Sequence, residues 1–351
     1  MKISFVLPGV SRVPVGGYKM IFEYANRLCK RGHEITLIFH CFSGMHRNQN
    51  APKFIKLVYY YLGAHYFPTW FTLDSRIHKI CRHKKLIDSE IPDGDVICAT
   101  AIDTAYAVAE LPASKGEKIY FIQDYENWNG WTDDEVKKSY CLGMKNIVIA
   151  KWLQKIVKAA GADSVLIPNG IDFNVFDIDI PISQRRKLVI SMLYHNGEHK
   201  GTKYGIEALN RLKELYPDLQ AILFGTPARP NNLPDWIQYV QNATQNQLRK
   251  IYNQSLIYLC PSIKEGFGLT GAEAMACGAA YVASDYGGVH EYTEEGRNVL
   301  LSKPRDVEGL VRNVADLLNH ESKRLMLAEN GYRDIKILDW NKAVERFEQV
   351  I

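Results

Sequence analysis

The chain opens on an apolar run at residues 3–7 that stops at Pro8 and Gly9. Gly16 and Gly17 then punctuate a loop, after which Ile21, Tyr24, Ala25 and Leu28 recur at helical spacing. Gly32 ends that helix, and residues 34–39 read as the next strand. Strand, glycine-bearing loop, helix, glycine and strand make a βαβ unit, the building block of parallel sheets. No GxGxxG follows the first strand, so the dinucleotide fingerprint is absent. Further strands are predicted at 95–99, 118–122, 146–150 and 164–167, with a helix over 151–160. Residues 168–187 read as a linker.

The alternation then restarts. Strands are predicted at 188–193, 220–224, 256–260 and 280–283, and helices at 204–216, 248–255 and 269–276. Residues 306–351 are mostly helical. The fold class is therefore α/β. Two domains are expected, 1–167 and 168–334, with a terminal helix over 335–351 packing back on the first. A length of 351 residues fits two such domains, each long enough to bury its own core.

Composition narrows the function classes. Hydrophobic residues are 46% and charged residues 23%, which excludes a disordered chain. The formal net charge is only +4, so nothing points to nucleic acid as a partner. Seven scattered Cys with no CxxC pair argue against a zinc ribbon or a disulfide scaffold. Reduced thiols imply a cytoplasmic location. No leader is recognised at the start of the chain, and no apolar stretch is long enough to span a bilayer.

Residues 46–87 break the near-neutral balance. Eight Lys and Arg stand against one acid, Asp74, a local net charge of +7, and eight aromatics are interleaved. The pattern predicts a helical hairpin with a basic outer face and an aromatic core side. It also suggests a peripheral surface for an anionic membrane or a lipid phosphate.

The densest chemistry lies in residues 261–292, PSIKEGFGLTGAEAMACGAAYVASDYGGVHEY. A strand end leads through Gly266 and Gly268 into a helix starting near Leu269. Such a helix start presents backbone N–H groups to an anion, and glycines let phosphate approach closely. Glu265 lies in the loop and Glu273 eight positions on, inside the helix. Two carboxylates so placed suit sugar and ribose hydroxyls, although a helix cap and a solvated acid fit the same pattern.

Glu, seven residues, Glu within EGFGLTGAEAMACG resembles the motif of the retaining family-4 glycosyltransferases. GGYKMIFEYANRLCKRGHEITLI, PNGIDFNVF, HKGTKYGIEALNRL and SDYGGVHEY resemble other segments of that family in the same order, and Trp340 its late crossing helix. The resemblance implies a GT-B fold, two Rossmann-like domains facing across a cleft. It implies a nucleotide diphosphate sugar as donor and a saccharide or lipid-linked saccharide as acceptor, with no cofactor and no metal. The chain has no HExxH and no DxD set between apolar strands.

Carried over residue by residue, Glu273 would bond the donor ribose and Glu265 the hydroxyls of the transferred sugar. Gly266, Phe267, Gly268 and Leu269 would meet the sugar or pyrophosphate through their backbone, Lys200 would place its charge on the pyrophosphate, and Gly16 and Gly17 would let the first-domain loop approach the phosphates. Catalytic roles fall on Glu265, Lys200 and Gln123.

Two positions depart from the family pattern. His195 stands where an Arg is common, so it either works protonated or leaves the phosphate with fewer charges; His199 is beside the motif Lys. Gln123 stands where a His is common, and it positions hydroxyls without shuttling protons. Asp124 and Glu126 are nearby carboxylates that fit loop caps equally well. Residues 241–247 would line the nucleobase, and Glu291 follows the Gly287–Gly288 turn. A non-catalytic partner subunit and a sugar-nucleotide epimerase of the same fold are the competing readings.

Overall fold

The structure, a computed structural model, describes residues 1–40, 52–82, 86, 88–128 and 130–351. Two compact units emerge. The first comprises Met1–Pro168 and Ala343–Ile351, the second Asn169–Lys342.

In the first unit the strands are β1 (Lys2–Leu7), β2 (Glu34–His40), β3 (His78–Arg82), β4 (Val96–Ala99), β5 (Glu117–Ile122), β6 (Lys145–Val148) and β7 (Ser164–Leu166). They form one sheet in the order β3-β2-β1-β4-β5-β6-β7, parallel throughout. Its helices are α1 (Gly16–Lys30), α2 (Lys53–Tyr66), α3 (Ile102–Ala109), α4 (Asp133–Ser139) and α5 (Lys151–Ala159).

In the second unit the strands are β8 (Val189–Leu193), β9 (Gln220–Gly225), β10 (Ile237–Gln241), β11 (Ile257–Cys260), β12 (Ala280–Ser284) and β13 (Leu300–Ser302). Their order is β10-β9-β8-β11-β12-β13, again parallel. The helices are α6 (Thr202–Leu215), α7 (Gln245–Gln254), α8 (Leu269–Ala276), α9 (Val307–Asn319) and α10 (Glu321–Asp334); a last helix, α11 (Trp340–Val350), belongs to the first unit from Ala343 on.

The two sheets repeat one plan. In each, the first strand lies between the second and the fourth, so the chain order reverses beside it. In open parallel sheets ligands gather at the carboxyl ends of the strands flanking that reversal. The strands there are nearly continuous apolar runs, buried on both faces, as parallel sheets require. Ile3, Phe5, Val6 and Leu7 of β1, and Ile257, Tyr258 and Leu259 of β11, are all buried.

The terminal segment joins the first core through Phe347. Its ring sits 6.0 Å from Phe5, 5.1 Å from Tyr24 and 6.3 Å from Phe121. Arg31 and His33 bond Glu348 at 2.6 and 2.9 Å. Within the second unit Trp340 packs on Gly170, where a Cβ would lie 2.5 Å from the indole.

Two expectations change. Gly16 and Gly17 belong to the first turn of α1 and not to the preceding loop. Residues 46–87 do not form a helical hairpin: α2 is followed by an irregular stretch and then by β3. The sequence His-Lys-Ile-Cys-Arg pairs with β2 as an edge strand, where one side of the ladder faces solvent and Lys and Arg are tolerated. The aromatics also divide. Trp70 and Phe71 pack on Phe22 at 5.6 and 5.5 Å, whereas Phe54 and Tyr66 are exposed. Arg47, Lys84 and Lys85 lie outside the described residues. Among the described residues, no helix is long and apolar enough to cross a membrane.

Candidate active site

In the second unit the predicted residues converge on the strand ends at the reversal point. The loop after β8 carries His195, His199 and Lys200, and the loop after β11 carries Glu265 to Gly268. These strands are hydrogen-bonded neighbours, so their loops meet. The His199 carbonyl accepts from the N–H groups of Ile263 and Lys264 at 2.7 and 3.1 Å. Gly201 makes the approach feasible. It caps α6 at φ +62°, and a Cβ there would fall 1.9 Å from the Pro261 carbonyl oxygen.

Lys200 Nζ stands 3.3 Å from Glu265 Oε1. The same carboxylate oxygen accepts from Ser262 Oγ at 2.5 Å. Glu265 is only 7% exposed, and these partners hold it in place. Cys260, pushed up to about 11 by its own burial and then by the Glu265 carboxylate, is a neutral wall of the site. Glu273, on the second turn of α8, is also buried, and the Tyr252 hydroxyl donates to Glu273 Oε2 at 3.4 Å.

No side chain caps the start of α8. Gly268 precedes it at φ +87°, and a Cβ would lie 2.0 Å from the Tyr286 hydroxyl oxygen. That hydroxyl belongs to a buried chain. Tyr281 and Tyr286 are linked at 2.7 Å and Tyr286 and Tyr292 at 3.3 Å, and Tyr292 donates to the Gly268 carbonyl at 2.7 Å. The tyrosines therefore hold the Gly268 carbonyl to a buried hydroxyl. Burial raises all three far above the ordinary phenol value, so they stay neutral donors. The turn Gly287–Glu291 closes on the loop too: a Cβ on Gly288 would be 2.5 Å from the Gly266 carbonyl oxygen. Phe267 is buried against Tyr292 at 5.4 Å.

The surroundings of His195 favour a neutral ring. Its Nδ1 accepts from the Gly197 N–H at 2.8 Å, which leaves a proton only for Nε2. Burial, the Lys200 ammonium and His199 all push its pKa below the ordinary imidazole value. His199, held down by burial and Lys200, is 5.7 Å away ring to ring. Thr202 fixes the backbone at His195, accepting from its N–H at 3.1 Å and donating to its carbonyl at 2.8 Å. Both the bond at Nδ1 and these surroundings favour the neutral imidazole. Lys200 supplies the firm positive charge of this loop.

The first unit gathers its own predicted residues. Gly16 and Gly17 open α1, whose N-cap, Val15, offers no side-chain bond. Gln123 follows β5, and a Cβ on Gly17 would sit 3.3 Å from its Nε2 and 3.4 Å from its Oε1. Glu126 accepts from the N–H of Ile102 at 2.5 Å, capping α3, and Asp124 Oδ1 accepts from the Tyr125 N–H at 2.7 Å. Both carboxylates thus serve as local caps. Residues 241–247 join β10 to α7, where Thr244 and Gln247 form a reciprocal cap.

Several supporting residues escaped the sequence reading. Ser262, three positions before Glu265, was visible in principle as a hydroxyl at the strand end. Tyr252, Tyr281, Tyr286 and Tyr292 were not, because tyrosines in apolar runs read as core until their hydroxyl partners are known.

Residues 177–334 match the family model described as glycosyl transferases group 1. The chain is 28% identical over 202 residues to alpha-maltose-1-phosphate synthase of Mycolicibacterium smegmatis, covering 53% of this chain and 47% of the relative. Among solved structures it is similar to sucrose-phosphate synthase from Thermosynechococcus elongatus, with TM-score 0.74 and 14% identity over 99% of this chain and 98% of that one. It is also similar to Anabaena Alr3699/HepE in complex with UDP-glucose, with TM-score 0.72 and 17% identity over 99% and 98% of the two chains. The fold is thus GT-B, and residues 177–334 are similar to the group 1 glycosyl transferases. The match spans about half the length of the synthase.

Proposed function

We propose that the protein is a retaining glycosyltransferase. It moves a hexose-type sugar from a nucleotide diphosphate sugar to a saccharide or lipid-linked saccharide acceptor, in polysaccharide or cell-envelope glycan synthesis. The second unit takes the donor and the first the acceptor. The observation that carries this reading is the Lys200–Glu265 pair at 3.3 Å, set beside the uncapped start of α8.

Each group has a task in this scheme. The bond from the anomeric carbon to the diphosphate oxygen breaks, and an acceptor hydroxyl oxygen bonds to that carbon. The acceptor proton leaves with the diphosphate. Negative charge grows on the leaving group, and Lys200 with the first N–H groups of α8 stabilises it. Glu265 orients the hydroxyls of the transferred sugar and Glu273 those of the ribose. Gln123 positions the acceptor through its amide. Gly16 and Gly17 let the backbone of the first unit approach the ligand closely.

The similarity to a structure holding UDP-glucose supports a nucleotide sugar as donor. The work is assigned to the cytoplasm, at the inner face of a membrane. Turnover separates this reading from its rivals. A transferase glycosylates an acceptor or slowly hydrolyses the donor, with the anomeric configuration of the product read by NMR. An epimerase interconverts free sugar nucleotides, and a partner subunit leaves them unchanged. Lack of transfer and hydrolysis with every donor tried would overturn the proposal.

A further inference from the structure

Helix α2 carries a feature that packing does not explain. Phe54, Ile55, Val58, Leu62 and Tyr66 are all exposed, Phe54 at 71% and Tyr66 at 68%. Their spacing places them on one side of the helix, a stripe about one-third of its circumference wide. Five large apolar side chains in one stripe exceed the scattered exposure usual on a soluble surface. The opposite side meets the protein: Gly63 is buried, and its Cβ position faces Val10 and Phe67.

The charge around this stripe selects what covers it. No Asp or Glu occurs among residues 52–73. At the carboxyl end of α2, Lys79 Nζ donates to the carbonyls of His65 and Phe67 at 3.0 and 3.2 Å. The Arg12 guanidinium lies 5.3 Å from the Phe67 ring centre. A second copy of this chain would set like charge against like. An anionic bilayer accepts both the apolar stripe and the cations, as interfacial amphipathic helices do.

We infer that the exposed face of α2 is a membrane-docking surface for anionic lipid. Its position has a use for the transferase, and the inference rests on that reading for its purpose. The Trp70 indole donates to the Ser11 carbonyl at 3.1 Å, so the segment after α2 is tied to the loop that leads into Gly16 and Gly17. A lipid surface held by α2 would therefore lie beside the acceptor-binding end of the first unit, where a lipid-linked acceptor could enter without leaving its bilayer. Val13 and Val15 of the same loop are exposed and extend the apolar surface.

Co-sedimentation tests this with vesicles of phosphatidylglycerol and phosphatidylcholine in equal parts, against phosphatidylcholine alone. The intact protein should bind the anionic vesicles, and more weakly as salt rises. The double variant Phe54→Ser, Leu62→Ser should lose binding by at least about tenfold. Both residues are exposed, so its thermal midpoint should stay that of the parent chain. Indifference of the parent protein to anionic vesicles overturns the inference, as does equal binding by the double variant. A concentration-dependent dimer that the double variant abolishes also overturns it, since the stripe would then join two copies. A calorimetric donor titration on the same samples keeps the questions apart: lost donor binding with intact vesicle binding counts against the transferase reading alone.

Discussion

Two helices in this protein start in the same way. Each follows a strand, has glycine at or just before its first residue and lacks a side-chain cap, α1 in the first unit and α8 in the second. The glycines answer to different physical demands. Gly268 sits at φ +87° with a tyrosine hydroxyl where its side chain would be. Gly17 has a φ outside the left-handed region, and its neighbour is the movable end of Gln123 at 3.3 Å. One glycine is required by backbone strain and a filled core, while the other has a side chain that can move as its nearest neighbour. Gly268 should therefore tolerate no side chain, whereas Gly17 should tolerate a small one.

The contrast is most exposed by alanine at each position. Gly268→Ala should cost about 2–4 kcal/mol of stability through strain and overpacking, seen as a lower Tm, and should abolish measurable donor binding. Persistence of normal donor affinity in that variant would break the comparison. Next come Lys200→Ala, Glu265→Ala and Glu273→Ala. Each should lower kcat/KM by at least about tenfold, or about 1.4 kcal/mol of transition-state stabilisation. Steady-state kinetics with a fixed acceptor checks them, and near-normal rates in all three would remove the site assignment.

A smaller effect is expected from Tyr292→Phe, which deletes the hydroxyl that donates to the Gly268 carbonyl at 2.7 Å. The loss should be about 1 kcal/mol, the usual worth of one hydrogen bond, and should appear in the donor KM. Gly17→Ala should change donor affinity by less than about threefold, because the Gln123 amide can swing aside. Its acceptor KM should move more than its donor KM.

The smallest effect concerns pH. The folded protein holds His195 and His199 below their ordinary value, with burial the first cause. Depressed imidazoles contribute stability that is present above the unfolded value and lost as pH falls through the folded one. Donor affinity should accordingly show no rise between about pH 8 and about pH 6.5, the ordinary imidazole value. A rise across that range, absent in His195→Gln, would restore the protonated reading.

How much of this was legible in the sequence depends on what each residue contacts. The apolar strands at the sheet centres announce themselves because parallel sheets bury both faces. Edge elements did not: β10, Ile-Gln-Tyr-Val-Gln, carries Gln at two of its five positions, and β13 has only three residues. Basic β3 was mistaken for part of a hairpin for the same reason. Within the site, Glu265, Glu273 and Lys200 stand out because polar residues beside glycines at strand ends suggest chemistry. The tyrosine chain under Gly268 stayed hidden, since its members come from β12 and from the two residues that flank the Gly287–Glu291 turn. His195 was ambiguous until the Gly197 N–H was found on its Nδ1. Charge state follows from a contact, and composition does not supply contacts.

The central claim is that Lys200 and the start of α8 form a site for a nucleotide diphosphate sugar. Isothermal titration with UDP, GDP, dTDP and ADP sugars, repeated on Lys200→Ala, tests it most directly. Selective binding of one nucleotide class, weakened at least about tenfold in the variant, is the predicted result. Binding of none by the parent protein, or equal binding by the variant, would contradict it.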